Sequence, residues 1–154
     1  MFQKSEVVEA ILAALRAEFE TYVTTSKQAR TSGNDAQTKA EGKYDTRSTE
    51  ENYLADGMAK HALVARQAFD AIAVIPVVDF TETTPISLGA LIELAFPTET
   101  LWFFLAPAAG GLEVSVRGQT ITVLSPDSPL GLQLKDRRQG DSTLQPKTKI
   151  LRVL

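Results

Sequence analysis

Along the first part of the chain, apolar residues recur at alternating steps of four and three. Val8, Leu12, Leu15, Phe19 and Tyr22 form this series, and Ile11 and Val23 widen the stripe. Glu9, Arg16, Glu18 and Glu20 fall between them and supply a wet face. Such a heptad-like seam predicts a helix that buries one stripe against a partner. A second series, Met58, Ala62, Ala65, Phe69 and Ile72, has the same steps. Its expected start is Ser48, where Ser-Thr-Glu-Glu reads as a capping box with Ser48 as N-cap and Glu51 closing the box. Pro76 closes the series, because the residue before a proline is pushed out of the α region. Gly57 lies inside it and costs about 1 kcal/mol relative to alanine.

Two helices of about 25 to 28 residues would each be about 40 Å long. The connection, roughly 31–47, is rich in Ser, Gly, Asn, Asp, Thr and Lys. The expectation is an antiparallel coiled-coil hairpin over residues 1–76, with its tip near 31–50. Ala62, Ala65 and Ala68 are small enough to let the second helix approach Leu15 and Phe19 closely.

After Pro76 the pattern changes. Val77 to Phe80 reads as an exit segment and Thr81 to Pro85 as a linker. Short apolar stretches then alternate with Pro and Gly: Leu88–Phe96, Leu101–Leu105, Leu112–Val116, Thr120–Leu124 and Lys149–Leu154. Their brevity and their β-branched and aromatic content predict strands. Trp102, Phe103 and Phe104 sit in a run too apolar for one solvated face, which predicts a central strand. Between Ser128 and Arg138 a short helix is expected, with Ser128 as N-cap and Pro129 at its first position. Residues 77–154 thus read as a small antiparallel sheet with one short helix. The fold class is α+β.

Composition narrows the chemistry. The 154 residues are 44% hydrophobic and 23% charged, enough for a core and a soluble surface. A formal net charge of -3 argues against general nucleic-acid binding, which leaves a basic footprint. There is no cysteine, so disulfides, thiolate metal sites and cysteine nucleophiles are excluded. No apolar run approaches the roughly 20 residues of a membrane span. The opening residues lack the apolar region of a signal peptide, so a cytoplasmic protein without membrane contact is expected. No Gly-rich phosphate loop, metal-spaced His pair or Ser/His/Asp set can be assembled. His61, the one histidine, reads as a surface residue, and Tyr53 as a packing residue at the hairpin's end.

Two sets of residues carry a resemblance. The first is Ile121-Thr122-Val123-Leu124-Ser125-Pro126, then Ser128-Pro129-Leu130-Gly131, Leu134, Arg137 and Gly140-Asp141, together with Gly89-Ala90-Leu91-Ile92-Glu93-Leu94. The second is the tip from Asp45 to Ala55, with an Asp, a basic residue, further acids, then Asn52 and Tyr53. Both resemble the GreA/GreB family of bacterial transcription elongation factors. The resemblance implies a coiled-coil hairpin followed by a domain of FK506-binding-protein-like topology. It implies bacterial RNA polymerase as partner, bound at the secondary channel, with Ser128, Pro129, Leu130, Gly131 and Arg137 on the partner-binding surface. The protein itself is expected to be a monomer. The resemblance implies that the hairpin inserts towards the active centre, where contact with the 3′ end of nascent RNA is expected. There the tip carboxylates would help the polymerase's own magnesium cut backtracked RNA, since carboxylate oxygens hold Mg²⁺ and the metal activates water. On that reading the protein is not itself an enzyme and has no cofactor of its own.

The chain departs from the family pattern at the tip. Asp45 matches the first acid, but Ser48 stands where the second would be, and Glu50 and Glu51 are the next acids. The expected metal-assisting pair is then Asp45 with Glu50. Three alternatives stand beside it: a channel-binding regulator without cleavage activity, an FK506-binding-protein-like peptidyl-prolyl isomerase or chaperone, and a coiled-coil oligomerisation module. The cluster Lys135, Arg137 and Arg138 reads as a solvated face or as part of a docking rim.

Overall fold

A computed structural model describes the backbone of residues 1–39 and 46–154, and the side chains of 1–31, 49–50 and 52–154. Helix α1 runs Lys4–Lys39 and helix α2 Thr46–Ala73. Strands β1 Leu91–Ala95, β2 Thr100–Leu105, β3 Glu113–Val116 and β4 Gln119–Leu124 follow, then helix α3 Pro129–Leu134 and strands β5 Ser142–Leu144 and β6 Lys147–Val153. The chain divides into two compact units, one of Met1–Ala14 with Asp70–Leu154 and one of Leu15–Phe69. The expected boundary after Pro76 lies inside the first.

In the second unit the two helices run antiparallel, as their side-chain pairs record. Arg16 lies over Phe69, Tyr22 stacks on His61, Ser26 bonds the Ala55 carbonyl and Arg30 pairs with Asp56. As the position in α1 rises, its partner in α2 falls. Leu15 on α1 and Ala55, Ala62, Ala65 and Ala68 on α2 are buried, with Phe19, Tyr22, Val23 and Met58 half-buried. The seam is therefore the predicted one.

Two helix boundaries differ from expectation. Helix α1 continues through Gly33 to Lys39, well into the expected connection. One glycine costs only about 1 kcal/mol, which good helix formers around it, Ala36, Gln37 and Lys39, can outweigh. Helix α2 begins at Thr46, so Ser48 lies within the helix rather than at its cap and the capping box does not mark the start. Neither Thr46 nor Arg47 breaks a helix, so nothing stops the pattern from extending back through them.

In the first unit the strands form one sheet of order β3-β4-β2-β1-β6-β5. The expected antiparallel sheet is a mixed one, because β4 pairs parallel with β2 from Trp102↔Ile121 to Leu105↔Leu124. The chain leaving β2 first forms β3 and returns as β4 between β3 and β2. The return is a two-residue turn with Arg117 and Gly118 both at positive φ, 48° and 80°, the geometry that matches the strands' own twist. Strand β5 was not anticipated: three residues, Ser142 to Leu144, are too few for a periodicity signal. It pairs with β6, where Thr143 and Thr148 share a buried hydroxyl hydrogen bond of 2.8 Å.

Strand β2 is interior, as expected, and Trp102 to Leu105 are buried in succession. Neighbouring residues in a strand point to opposite faces, so four buried in a row require cover on both sides. One face belongs to a core of Ile92, Leu94, Phe103, Leu105, Leu124 and Ile150 with Leu134 of α3. On the other, Phe2 meets Trp102 edge-on with centroids 5.0 Å apart. The start of α1 is tied to this side: Arg117 Nε and Nη2 donate to Glu6 Oε1 at 3.0 and 2.6 Å.

Candidate functional site

The tip is approached by the two helices of the arm. Ser26, buried, donates its hydroxyl to the Ala55 carbonyl at 2.9 Å, and Arg30 Nη2 reaches Asp56 Oδ1 at 3.0 Å. Both contacts fix the register of α1 against α2 one to two turns below Glu50. Glu50 is exposed on α2. Asp45 lies outside the described residues, as does the side chain of Glu51, so the expected Asp45–Glu50 pair has one described member. Tyr53 does not pack at the hairpin's end: it is 72% exposed, with Leu54 beside it at 49%. Residue Ala55 occupies the buried position of that turn instead. Among the described residues no group of three or more His, Cys, Asp or Glu side chains could hold a metal ion.

The Ser-Pro-Leu-Gly segment is a corner between β4 and α3. Ser128 caps α3 as predicted: its Oγ accepts from Gly131 N at 3.0 Å and donates to the Ser125 carbonyl at 2.7 Å. Pro129 is exposed, Leu130 is half-buried against the core, and Gly131 is buried. The structure thus assigns the motif a local duty, which is to hold the helix start against the preceding turn. Arg137 projects an exposed side chain while its backbone carbonyl accepts from Ile86 N at 2.7 Å. Beside it, Arg138 Nε donates to the Thr83 carbonyl at 2.8 Å, and Lys135 is exposed. Of the basic cluster, Arg138 is tied down, and Lys135 and Arg137 face solvent.

The chain is similar to the crystal structure of GreA factor homolog 1 (Gfh1) of Thermus thermophilus. Identity is 17% and the TM-score 0.35, over 94% of this chain and 95% of that one. A second structure, of the transcription factor Gfh1, is also 17% identical with a TM-score of 0.35, covering 94% of this chain and 93% of its own. Gfh1 of Thermus aquaticus is 18% identical with a TM-score of 0.33, over 94% of each chain. No protein-family model and no curated protein matches the chain.

One further cleft, of about 310 Å³, opens beside Trp102 between Phe2, Glu93, Arg117, Gln119 and Arg152. Its cations are already neutralised within the chain. Arg152 Nε meets Glu93 Oε2 at 2.5 Å with its guanidinium 4.9 Å from the Trp102 ring centre, and Arg117 holds Glu6. Trp102 borders this cleft, whereas Phe103 and Phe104 are buried in the strand and do not line it. Among the described residues no helix is long and apolar enough to cross a membrane.

Sequence reasoning missed Ser26 and Ala55. Each continues a series it had already found, since Ser26 stands four residues beyond Tyr22 and Ala55 three before Met58. Extending the steps by one position would have found both.

Proposed function

We propose that this protein is a transcription elongation regulator that binds bacterial RNA polymerase at its secondary channel, with its β-rich body as a docking module and its helical arm inserted. The observation that carries the reading is the joining in one chain of a two-helix arm to the β4–α3 corner with its Ser-Pro-Leu-Gly motif. The body is read as FK506-binding-protein-like in type, with exposed Arg137 and Pro129 on the docking surface. The arm tip offers Asp45 and the exposed Glu50 as carboxylates to the polymerase's own magnesium. Carboxylates supplied in trans would help hold the metal that activates water against the RNA, so the factor assists a nuclease rather than being one.

The test has two stages. Binding of the full chain to polymerase core at low salt is expected, and its absence sinks the reading. In stalled elongation complexes, wild type is expected to accelerate RNA cleavage, while Asp45→Ala with Glu50→Ala loses that acceleration and still binds. Retained binding with no effect of wild type on cleavage leaves a channel regulator and removes both carboxylates from a metal role.

A further inference from the structure

The arm carries the same short motif on both of its helices. Arg16-Ala17-Glu18-Phe19 on α1 and Arg66-Gln67-Ala68-Phe69 on α2 each set a phenylalanine three residues after an arginine. Residues three apart are neighbours on a helix surface, so each motif presents a guanidinium beside a ring. The helices run antiparallel, and the Arg16 guanidinium carbon lies 5.5 Å from the centre of the Phe69 ring. Three residues on in α1 and three back in α2, the same register sets Phe19 opposite Arg66. The two motifs therefore face each other about a local two-fold axis. Between them opens a cleft of about 180 Å³, lined by Leu15, Arg16, Phe19, Arg66 and Phe69. Leu15 is buried and the two rings half-buried, while both arginines are exposed.

Charges that flank a two-helix seam are ordinarily of opposite sign and pair across it. Arg30 and Asp56 follow that rule. At this cleft two cations stand together instead. Among the described residues Arg16 has no carboxylate partner, whereas Arg30, Arg117 and Arg152 each have one. Arg66 has a contact within the chain, and the five N–H donors of a guanidinium let it keep one partner while taking another. We propose that the cleft is a binding site for a phosphate group, held between the guanidiniums of Arg16 and Arg66. Planar guanidinium forks match phosphate oxygens two at a time. A phosphate monoester carries a charge of about −1.5 to −2 near neutral pH and three acceptor oxygens, so it balances both cations. A single carboxylate does not. The Phe69 face orients Arg16 before the anion arrives, which lowers the entropy lost on binding. The cleft includes neither the tip nor the Ser-Pro-Leu-Gly corner, and its test needs no polymerase.

Isothermal titration of the full chain at low salt, with inorganic phosphate, phenyl phosphate and benzoate as probes, tests the site. Phosphate and phenyl phosphate are expected to bind once per chain, and benzoate several-fold more weakly than phenyl phosphate. Tighter binding of phenyl phosphate than of phosphate identifies an aromatic ester as the ligand, and equal affinity identifies the free ion. Arg16→Gln and Arg66→Gln should each weaken phosphate binding about tenfold, with unchanged helical circular dichroism. Arg16→Lys, which keeps the charge and loses the fork, should fall between Arg16→Gln and wild type. Arg30→Gln removes a cation of the same helix outside the cleft and should leave the affinity unchanged. Three results overturn the proposal: no phosphate binding by wild type at millimolar concentration, benzoate binding as tightly as phenyl phosphate, or Arg30→Gln weakening phosphate as much as Arg16→Gln does.

Discussion

A Cβ on Gly131 would stand 2.1 Å from the carbonyl oxygen of Ser125. That oxygen also accepts the Ser128 hydroxyl, and the same hydroxyl accepts from the Gly131 amide. Three residues of the corner therefore constrain one another, and the glycine is required by close backbone approach rather than by an unusual φ. Gly131→Ala is expected to destabilise the protein by about 2 kcal/mol, the scale of overpacking, although alanine is ordinarily the better helix former. Ser128→Ala should cost about 1 kcal/mol through loss of the cap. Urea unfolding followed by circular dichroism checks both, and an unchanged midpoint for Gly131→Ala contradicts the close approach.

Gly57 is the opposite case. It lies inside α2 with open space where a side chain would go. Gly57→Ala should raise stability by about 1 kcal/mol, measured in thermal melts of dilute protein. A loss of stability there would mean that the backbone at this position is not helical.

The latch between α1 and the β3–β4 turn makes stability depend on pH. A hydrogen bond from the Gln3 amide, then the Arg117 guanidinium, hold the Glu6 carboxyl below its ordinary value of 4.5. A carboxyl with a depressed folded pKa contributes stability that is complete above its unfolded pKa and is lost as pH falls through the folded one. Wild type should therefore exceed Glu6→Gln in stability near neutral pH. The difference should shrink as the solution is acidified through the carboxylate range. Stability curves for the two proteins that stay parallel down to strong acid would contradict the latch.

Arg152 stacks over Trp102 and pairs with Glu93, whose side chain is only 13% exposed. Removing the cation leaves that carboxylate without its partner. Arg152→Ala is expected to lower stability by roughly 1–3 kcal/mol, and Arg152→Ala with Glu93→Ala by less than the two single losses combined. Additive losses in a double-mutant cycle would show that the pair is not coupled.

The elements legible in the sequence were those in which a repeated pattern and burial coincide. The arm's seam, the interior strand around Trp102 and the Ser128–Pro129 helix start all follow from periodicity or from a cap with a defined hydrogen bond. What was not legible depended on contacts between distant segments. The parallel pairing of β2 with β4 is set by where the β3–β4 hairpin returns, and no residue of β4 announces its neighbour. The Ser48 capping signal pointed to a helix start two residues late, because a cap motif does not prevent permissive residues ahead of it from joining the helix. The candidate site divides the same way. Ser128 was identified as a cap, but the Gly131–Ser125 approach that explains the whole motif is a through-space fact. Tyr53 was read as packing because aromatics usually do, whereas Ala55 fills that role two residues later.

The two compact units also differ in their chromophores. The only tryptophan, Trp102, lies buried in the unit that holds the sheet, while Tyr22 and Tyr53, two of the sequence's three tyrosines, belong to Leu15–Phe69. Indole emission excited at the red edge therefore reports on the body alone, and tyrosine emission on the arm. An encounter that engages only the helices would change one signal and spare the other, so which part of the molecule a partner touches can be read without attaching a label.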